Sequence, residues 1–542
     1  MAEPPALELR GRASPIAPLQ RCAGWLASLS GWRRHLAAVL LGALAAAALP
    51  PVDLTPVLLI SFVGLIWLCD GSAGFAAAFA LGWSFGFGFF LAGLYWIAAA
   101  LFVDISSFWW LVPFAVAGVP AGLAIYTGAA CCASYALCRW FRLGGTSRIL
   151  VLAALWVGAE WLRGHVLTGF PWNLVGYAWS GGFPHALDML QIASVIGAYG
   201  LSFITVLAAA LPARLGDFSG NRWAPTLVAI LLIALPAGWG FNRLAAGRPA
   251  EVPGIVLRLV QPSIPESMKN DPAQLLTNFR RLFALSTSAG AAPVTAILWP
   301  EDAAPPFLER DGSARKALAQ ASPLDGYVIT GTVRTDPAPQ PPVHVWNSLV
   351  AIDRDGTLRA SYDKFHLVPF GEYVPLRTVL PMQKITPGAI DFSAGPGPRT
   401  IELPGLPAFS PLICYEAVFP GAVMDPAHRP AWLLNITNDA WYGFTSGPFQ
   451  HLAIARVRAV EEGLPLVRVG NNGISAVFDP YGRVTGRLDL NAVGVLDAKL
   501  PEALSPTWYS RLGDLPALGA MLFIVVALIA MRIVRGQVSR KI

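Results

Sequence analysis

The chain has 542 residues, of which 55% are hydrophobic and only 13% are charged, and its mean hydropathy is +0.53. That composition is too apolar for an ordinary soluble globular protein and indicates a membrane protein. The small positive balance, 39 Lys and Arg against 33 Asp and Glu, is not gathered into one stripe, so we expect no nucleic-acid partner.

Apolar blocks dominate the first half of the chain. Residues 1–34 are polar and basic and lack a signal-peptide cleavage pattern, so we interpret them as a cytoplasmic tail. Because a bilayer-spanning helix needs about 20 apolar residues, we predict a membrane domain of about seven helices over residues 35–245 and a C-terminal span at 513–536, about eight in all. The apolar blocks are 36–50, 54–69, 73–103, 109–138, 149–163, 189–212, 224–242 and 515–534.

Basic residues between the blocks predict the orientation. They lie between the fourth and fifth blocks, between the sixth and seventh, and after the eighth. By the positive-inside rule that side is the cytoplasm, so residues 537–542 form a cytoplasmic tail and residues 250–505 face outward, into a bacterial periplasm. The residues concerned are Arg139, Arg142, Arg148, Arg214, Arg222, Arg532, Arg535, Arg540 and Lys541.

An aromatic connection, from Glu160–Arg163 through Gly169–Asn173, joins the fifth and sixth blocks on the outward side. Aromatic residues there are typical of an interfacial belt. Alternatively, the connection helps to form a lipid-facing mouth for the outer domain.

From residue 253 onward, short strand patterns alternate with helical ones, which predicts an α/β layered domain. Two turns, Asp353–Gly356 and Asp479–Gly482, predict hairpins and therefore a partly antiparallel sheet. The predicted helices are Pro272–Ser288, Ser313–Ala321 and Gln450–Glu462. The predicted strands are Ile255–Val260, Thr295–Trp299, Tyr327–Thr332, Asn347–Ile352, Ala408–Ile413, Trp432–Thr437, Leu466–Val469 and Ser475–Phe478.

Cys414 follows one of these strands directly, and it is the lone cysteine between residues 250 and 505. A thiol at the carboxyl end of a central strand lies where α/β sheets bind ligands, and the N–H groups beyond it can face an oxyanion. The alternative is a small buried hydrophobe, as most free cysteines are. Since the domain has no second cysteine, it has no disulfide framework.

Two further residues could assist a nucleophilic thiol. Glu301 ends a predicted strand, where desolvation would raise its pKa and suit it to act as a base. Lys364 lies in a long loop held by prolines. A nucleophilic thiol needs a base, a cation and backbone donors, and these residues supply the first two.

Four ordered motifs resemble those of the nitrilase superfamily and, more narrowly, of the apolipoprotein N-acyltransferase family. They are Leu298–Glu301, Asp363–Glu372, Ile413–Glu416 and Thr437–Gly443, and Gly169–Trp172 resembles the membrane part of the same family. The resemblance covers nearly the whole chain. It implies a multi-span α-helical membrane domain followed by a nitrilase-like α-β-β-α sandwich over residues 250–505.

The resemblance also implies the roles of the site residues. Glu301 would be the general base, Cys414 the nucleophile and Lys364 the group that stabilises the oxyanion. Glu372, Tyr415 and Glu416 would support the site or bind substrate. One departure is Asn270, which stands where the family usually has tryptophan, so the detail of the lid is expected to differ.

The function implied is the last step of bacterial lipoprotein maturation, at the inner membrane. Cys414 would take an acyl chain from a phospholipid, expected to be phosphatidylethanolamine, as a thioester. The N-terminal amine of a diacylglyceryl-cysteine apolipoprotein would then accept it in a ping-pong reaction. We predict no cofactor, and no metal because His344 and His451 lack ligand spacing. His366, Asn438 and Asp439 are interpreted as structural.

Two other functions can be weighed against this one. A membrane-tethered amidase or nitrilase of the same superfamily would have a closed polar pocket and a single span. A transporter would carry charged or broken helices at membrane depth, where Glu160 is the nearest candidate and is expected at the interface.

Overall fold

The computed structural model describes residues 16–269, 271–290, 293–337, 343–379 and 382–538, with side chains up to residue 534. A helical part precedes two β-sheets, and two helices follow them. The helices are α1 (Ala17–Ser28), α2 (Gly31–Ala46), α3 (Val57–Asp70), α4 (Phe75–Leu94), α5 (Ile105–Phe108), α6 (Val119–Trp140), α7 (Thr146–His165), α8 (Ala186–Leu190), α9 (Ala193–Ala210), α10 (Trp223–Ala245), α11 (Glu266–Lys269), α12 (Leu275–Ser286), α13 (Gly312–Ala319), α14 (Gly447–Glu462), α15 (Trp508–Leu512) and α16 (Leu515–Val538). The strands are β1 (Glu251–Gln261), β2 (Ala296–Leu298), β3 (Tyr327–Thr335), β4 (Val345–Asp353), β5 (Leu358–Asp363), β6 (Ile401–Leu403), β7 (Leu406–Ile413), β8 (Trp432–Thr437), β9 (Leu466–Gly470), β10 (Ser475–Phe478), β11 (Val484–Leu488) and β12 (Gly494–Pro501).

Within the described chain, 5 helical segments are long and apolar enough to cross a membrane. This confirms a membrane part built from several apolar helices, although the expected total of about eight spans is not confirmed. The segments are Phe75–Phe102, Phe114–Trp140, Ala193–Gly216, Trp223–Ala245 and Leu515–Val534.

Three predicted spans correspond to helices that do not meet the same criterion. α2 has 16 residues and α3 has 14, so at about 1.5 Å per residue neither reaches the thickness of about 30 Å of a bilayer core. α7 has 20 residues, but Glu160 and Arg163 lie buried within it. The first two predicted blocks, 36–50 and 54–69, are about as short as these two helices.

The globular part contains two six-stranded sheets. Their orders are β12-β1-β2-β3-β4-β5 and β11-β10-β9-β8-β7-β6. Strands β1 to β3 run parallel, as do β7 to β9, and the outer strands pair antiparallel. The two sheets share an apolar core, while α12 and α13 cover one outer face and α14 covers the other. This is the α-β-β-α sandwich that the resemblance implied.

Every strand and helix predicted for this part coincides with an observed element, within a few residues at its ends. Both predicted hairpins are confirmed, since Asp353–Gly356 joins β4 to β5 and Asp479–Gly482 joins β10 to β11. Strands β5, β6, β11 and β12 were not predicted. They are short or half-exposed, so their apolar pattern is weak.

Strand ends from both sheets meet at one edge of the sandwich. Strand β2 leads to Glu301, β5 to Lys364, β7 to Cys414 and β8 to Asn438. The backbone N–H of Asn438 donates to Glu301 Oε2 at 2.9 Å, which joins the two sheets at this edge. The fold thereby assembles residues that are far apart in the sequence.

The helical part and the sandwich are joined by a buried polar contact between α9 and α14. Gly197, with a φ of 68°, interrupts α9, so the N–H of Ala198 begins its second half. Glu461 Oε1 accepts that N–H at 2.7 Å. A carboxylate at a helix N-terminus satisfies N–H groups that have no partner within the helix and opposes the helix dipole favourably.

Candidate active site

Cys414 lies where β7 ends and a short 3-10 helix, Cys414–Val418, begins. Its φ of 50° is in the left-handed region, where a residue with a Cβ is held at a cost of about 1–2 kcal/mol. The residue borders the core between the sheets and is 7% exposed, with Sγ 4.0 Å from the hydroxyl of Tyr442. The nucleophile candidate therefore lies on a strained turn at the sheet edge.

Glu301 and Lys364 face each other at this edge. Lys364 is 1% exposed, and its Nζ lies 3.6 Å from Glu301 Oε1 and 2.9 Å from Glu372 Oε1. A buried ammonium needs such partners, because a single uncompensated charge is strongly disfavoured away from water. The predicted supporting residue Glu372 thus lies directly against the lysine.

One asparagine side chain bridges the two carboxylates. Asn347 Nδ2 donates to Glu301 Oε1 at 2.8 Å and to Glu372 Oε1 at 2.9 Å. Glu372 Oε2 also accepts the N–H of Val368 at 2.8 Å. The sequence assigned no role to Asn347, which was predicted only as the first residue of a strand.

The charges at the edge shift one another's titration. Burial raises the pKa of Glu301, and the Lys364 ammonium opposes that rise. Burial disfavours charged Lys364, but the carboxylates of Glu372 and Glu301 outweigh it and raise the pKa of Lys364. Burial and the Glu301 charge raise the pKa of Cys414 to about 12, while Lys364 opposes this. Glu301 and Lys364 therefore act on each other's titration, and both act on that of Cys414.

Glu416 ties the end of β7 to the loop that carries the lysine. Its carboxylate accepts the N–H of Ile413 and the N–H of Phe365, both at 2.7 Å, and the hydroxyl of Tyr362 at 2.9 Å. Burial raises the pKa of Glu416 to about 7, and the backbone donors oppose that rise. Its contacts are with the protein's own backbone and with one tyrosine.

Tyr415 contacts the aromatic connection that follows α7. Its hydroxyl donates to the carbonyl oxygen of Gly169 at 3.0 Å. Nearby, His366 stacks on Phe419 with ring centroids 3.5 Å apart, and its Nε2 lies 3.1 Å from the carbonyl oxygen of Thr168. The structural interpretation of His366 agrees with these contacts.

Buried charges within α7 shape the same connection. Arg163 donates to the carbonyl oxygens of Phe170 and Trp172, both at 2.6 Å. Glu160 is 5% exposed and accepts the N–H of Val175 at 3.0 Å, so it is buried in the protein rather than placed at the interface as expected. Trp172 is 1% exposed and does not form an interfacial belt.

Gln450 at the start of α14 holds two tryptophans of the helical part. Its Oε1 accepts from Trp172 Nε1 at 2.8 Å and from Trp96 Nε1 at 3.1 Å, and its Nε2 donates to the carbonyl of Gly93 at 3.2 Å. No local sequence pattern marks this residue, because the two tryptophans lie more than 270 positions away.

The nucleophile and two residues behind it form a further polar cluster. The ligand atoms of Cys414, Asp439 and His451 lie within 4.8 Å of one another, a spacing that a metal could use. Both ring nitrogens of His451 already have protein partners, and Asp439 is paired with Arg468. These hydrogen bonds leave the cluster poorly suited to a metal ion. Asn270 lies outside the described residues.

Comparison with known proteins places the chain in a family. Residues 41–211 match the apolipoprotein N-acyltransferase N-terminal domain, and residues 257–509 match the carbon-nitrogen hydrolase family. The apolipoprotein N-acyltransferase of Rhodopseudomonas palustris is 42% identical over 537 residues, covering 95% of this chain and 98% of that protein. That of Bradyrhizobium diazoefficiens is 44% identical over 531 residues, 94% of this chain and 96% of that protein. The chain belongs to the apolipoprotein N-acyltransferase family.

Membership of this family makes the chain an acyltransferase of the nitrilase superfamily with several apolar helices. Among solved structures, an amidase from Nesterenkonia sp. aligns with 47% of this chain and 94% of its own length, at 20% identity and a TM-score of 0.33. The several apolar helices also disagree with the alternative of a tethered amidase, which predicted a single span.

Proposed function

We propose that the protein transfers an acyl chain from a phospholipid to the N-terminal amine of a diacylglyceryl-cysteine apolipoprotein, through a thioester on Cys414. The observation that carries this proposal is the meeting of Glu301, Lys364 and Cys414 at one sheet edge, in a chain similar over its whole length to apolipoprotein N-acyltransferases.

In the first half-reaction, Cys414 Sγ attacks the ester carbonyl of the phospholipid while Glu301 takes the thiol proton. The raised pKa of Cys414 keeps the resting thiol protonated, so proton removal and attack occur together. The carbonyl oxygen gains negative charge beside the Lys364 ammonium and the N–H of Tyr415. The ester C–O bond then breaks, Glu301 returns the proton to the leaving oxygen, and a lysophospholipid departs.

In the second half-reaction, the lipoprotein amine attacks the thioester carbonyl. Glu301 takes a proton from the amine and gives one to the departing sulfur, which leaves an amide on the lipoprotein and a thiol on Cys414. A thioester retains enough acyl-transfer potential to form an amide. Water competes with the amine at this stage and must be excluded from the intermediate.

The supporting residues have distinct roles in this scheme. Glu372 and Asn347 hold Lys364 and Glu301 in place. Glu416 fixes the backbone between the nucleophile and the lysine loop. Tyr415 joins the turn to the membrane part, at the carbonyl of Gly169.

The helical part allows both substrates to reach the thiol without leaving the bilayer. Each buried CH₂ is worth about 0.8 kcal/mol, so drawing either acylated substrate into water would be prohibitive. Exposed apolar side chains accompany the site segments and suit a mouth that opens toward the outer leaflet. They are Leu167, Phe370, Leu376 and Phe444.

The location and topology follow the same proposal. We place the protein in the bacterial inner membrane, with residues 250–505 in the periplasm, spans over 35–245 and 513–536, and cytoplasmic tails at 1–34 and 537–542. The arginine distribution supports this orientation. Phosphatidylethanolamine is the proposed donor.

A transfer assay tests the function. The full-length protein in detergent micelles, supplied with phosphatidylethanolamine and a synthetic diacylglyceryl-cysteine peptide, is expected to convert the peptide to its N-acyl form. Cys414→Ala is expected to give no product, whereas Cys22→Ala, which changes an exposed cysteine, serves as the matched control. Equal product from Cys414→Ala and wild type would refute the proposal.

A further inference from the structure

His451 is wholly buried directly behind the nucleophile, and the chemistry described above does not use it. Its Nε2 lies 3.1 Å from the carbonyl oxygen of Cys414. A carbonyl oxygen can only accept, so Nε2 carries a hydrogen and donates to it. The imidazole therefore holds the main chain of the nucleophile rather than its sulfur.

The other side of the ring is equally constrained. Nδ1 lies 3.0 Å from Asp439 Oδ1 and 3.1 Å from Arg468 Nη2, and none of the three side chains is exposed. Asp439 Oδ1 also accepts the hydroxyl of Thr437 at 2.8 Å. Arg468 in the middle of β9 and Asp439 just after β8 thus fix the orientation of the imidazole.

The held carbonyl belongs to the peptide bond that follows the nucleophile. A peptide bond is planar and trans, so its N–H points opposite to its C=O. Fixing the carbonyl of Cys414 therefore fixes the direction of the Tyr415 N–H, which is the backbone donor beside the developing oxyanion. The left-handed φ of Cys414 makes this peptide costly to hold without such a contact.

We propose that His451 is a positioning residue, which aims the Tyr415 N–H at the oxyanion by holding the carbonyl of Cys414 and takes no proton from the thiol. This inference rests on the proposed function, because the oxyanion arises in acyl transfer through Cys414. It differs from a cysteine–histidine pair, in which a ring nitrogen faces the sulfur and acts as the base.

The surroundings of the ring favour this role over that of a base. Burial and the neighbouring Arg468 lower the pKa of His451, which disfavours the charged ring, and with its hydrogen on Nε2 the ring accepts at Nδ1 from Arg468 Nη2. The rings of Trp172 and Tyr442 lie 5.4 Å and 5.9 Å from it. Because Gln450 next to it holds Trp172, the membrane part helps to support the turn of α14 that presents His451.

Two substitutions separate the roles. The amide of His451→Gln can still donate to the carbonyl, so we expect this variant to keep acylation within about tenfold of wild type. His451→Leu cannot donate, and we expect a loss of about 10²–10³-fold in kcat with little change in KM, as for a lost oxyanion donor. His428→Leu, at an exposed histidine, is the control.

Alkylation of Cys414 by iodoacetamide provides the decisive comparison. Alkylation needs the thiol but has no oxyanion, so its rate in His451→Leu is expected to match wild type while acylation falls. Parallel losses of alkylation and acylation, or a changed pH profile of acylation in His451→Gln, would overturn the proposal, as would full acylation by His451→Leu. If the leucine variant does not fold, the shorter amide of His451→Asn replaces it, with the same two rates as readouts.

The choice of acyl donor keeps this test apart from the proposed function. Acylation is measured with p-nitrophenyl butyrate as well as with phosphatidylethanolamine. A wild-type protein that reacts with the activated ester but not with the phospholipid contradicts the proposed donor and leaves the comparison of His451 variants intact.

Discussion

The membrane part and the sandwich use their buried charges differently. In the sandwich, Glu301, Lys364 and Glu372 contact one another at a strand edge, where an acyl group could react. In the membrane part, Arg163 is directed at main-chain carbonyls of the connection that reaches Tyr415. The comparison teaches that, under the proposed mechanism, the buried charges of the sandwich take part in the reaction, whereas those of the membrane part hold a loop beside the site.

The largest expected effect comes from the charge at the centre of the sandwich site. Lys364→Met removes the ammonium and leaves Glu301 and Glu372 without their shared cation. We expect N-acylation to fall by about 10³-fold or more, because the oxyanion loses its cation. Lys499→Met, at a half-exposed lysine paired with Glu251, is the matched control and should change activity little. Activity above a tenth of wild type in Lys364→Met would remove the lysine from the mechanism.

The corresponding change in the membrane part should act mainly on stability. Arg163→Met leaves two carbonyls and the nearby Glu160 without their partner, and breaking such a buried set costs about 3–5 kcal/mol. Thermal unfolding in detergent is the measurement, with the exposed Arg33→Met as control. An unchanged unfolding temperature would mean that Arg163 does not hold the connection.

The sequence revealed the charged residues and the thiol of the sandwich site but not the side chains that hold them in place. Cys414, Glu301 and Lys364 each follow an apolar strand or lie in a recognisable motif, so strand ends and motifs located them. Asn347 and His451 gained their roles only through side chains brought together by packing, and no local pattern marks such contacts.

The sequence did not settle the number of spans or the edge strands. The first two apolar blocks, 36–50 and 54–69, are shorter than the about 20 residues of a full span, as are α2 and α3. The edge strand β11 has no buried residue and only two apolar side chains besides its glycine, Val484 and Leu488, so its apolar pattern is weak, and it pairs with β10.

The pH dependence sharpens the account of the base. Burial first of all raises the pKa of Glu301, so acyl-enzyme formation should rise with pH, about tenfold per unit, up to a pKa above the usual value of about 4.3. Glu301→Gln should lack this rise of the rate with pH. The contribution of Glu301 to the free energy of unfolding depends on pH in the opposite direction. Because the folded state binds this proton more tightly than the unfolded chain, the contribution is present at low pH and is lost as pH rises through the folded pKa. If the rate of acyl-enzyme formation still rises with pH in Glu301→Gln, the rise belongs to the titration of another group.

The smallest expected effect probes the contact between the two parts. Trp172→Phe keeps an aromatic ring but removes the five-membered part of the buried indole, with the N–H that donates to Gln450, which retains Trp96 as a donor. We expect the lost hydrogen bond to lower the free energy of unfolding by about 0.5–1.5 kcal/mol, and the smaller ring to add the cost of a cavity. Trp25→Phe, at an exposed tryptophan, should lose less. Equal losses in both variants would show that the hydrogen bond contributes nothing.

Trapping the acyl-enzyme tests the central claim most directly. The full-length protein is incubated with phosphatidylethanolamine, without acceptor, and its mass and peptide map are recorded. The account predicts one acyl chain on Cys414, released by hydroxylamine and absent from Cys414→Ala and Glu301→Gln. An acyl chain on another residue, or one that persists in Cys414→Ala, would contradict it.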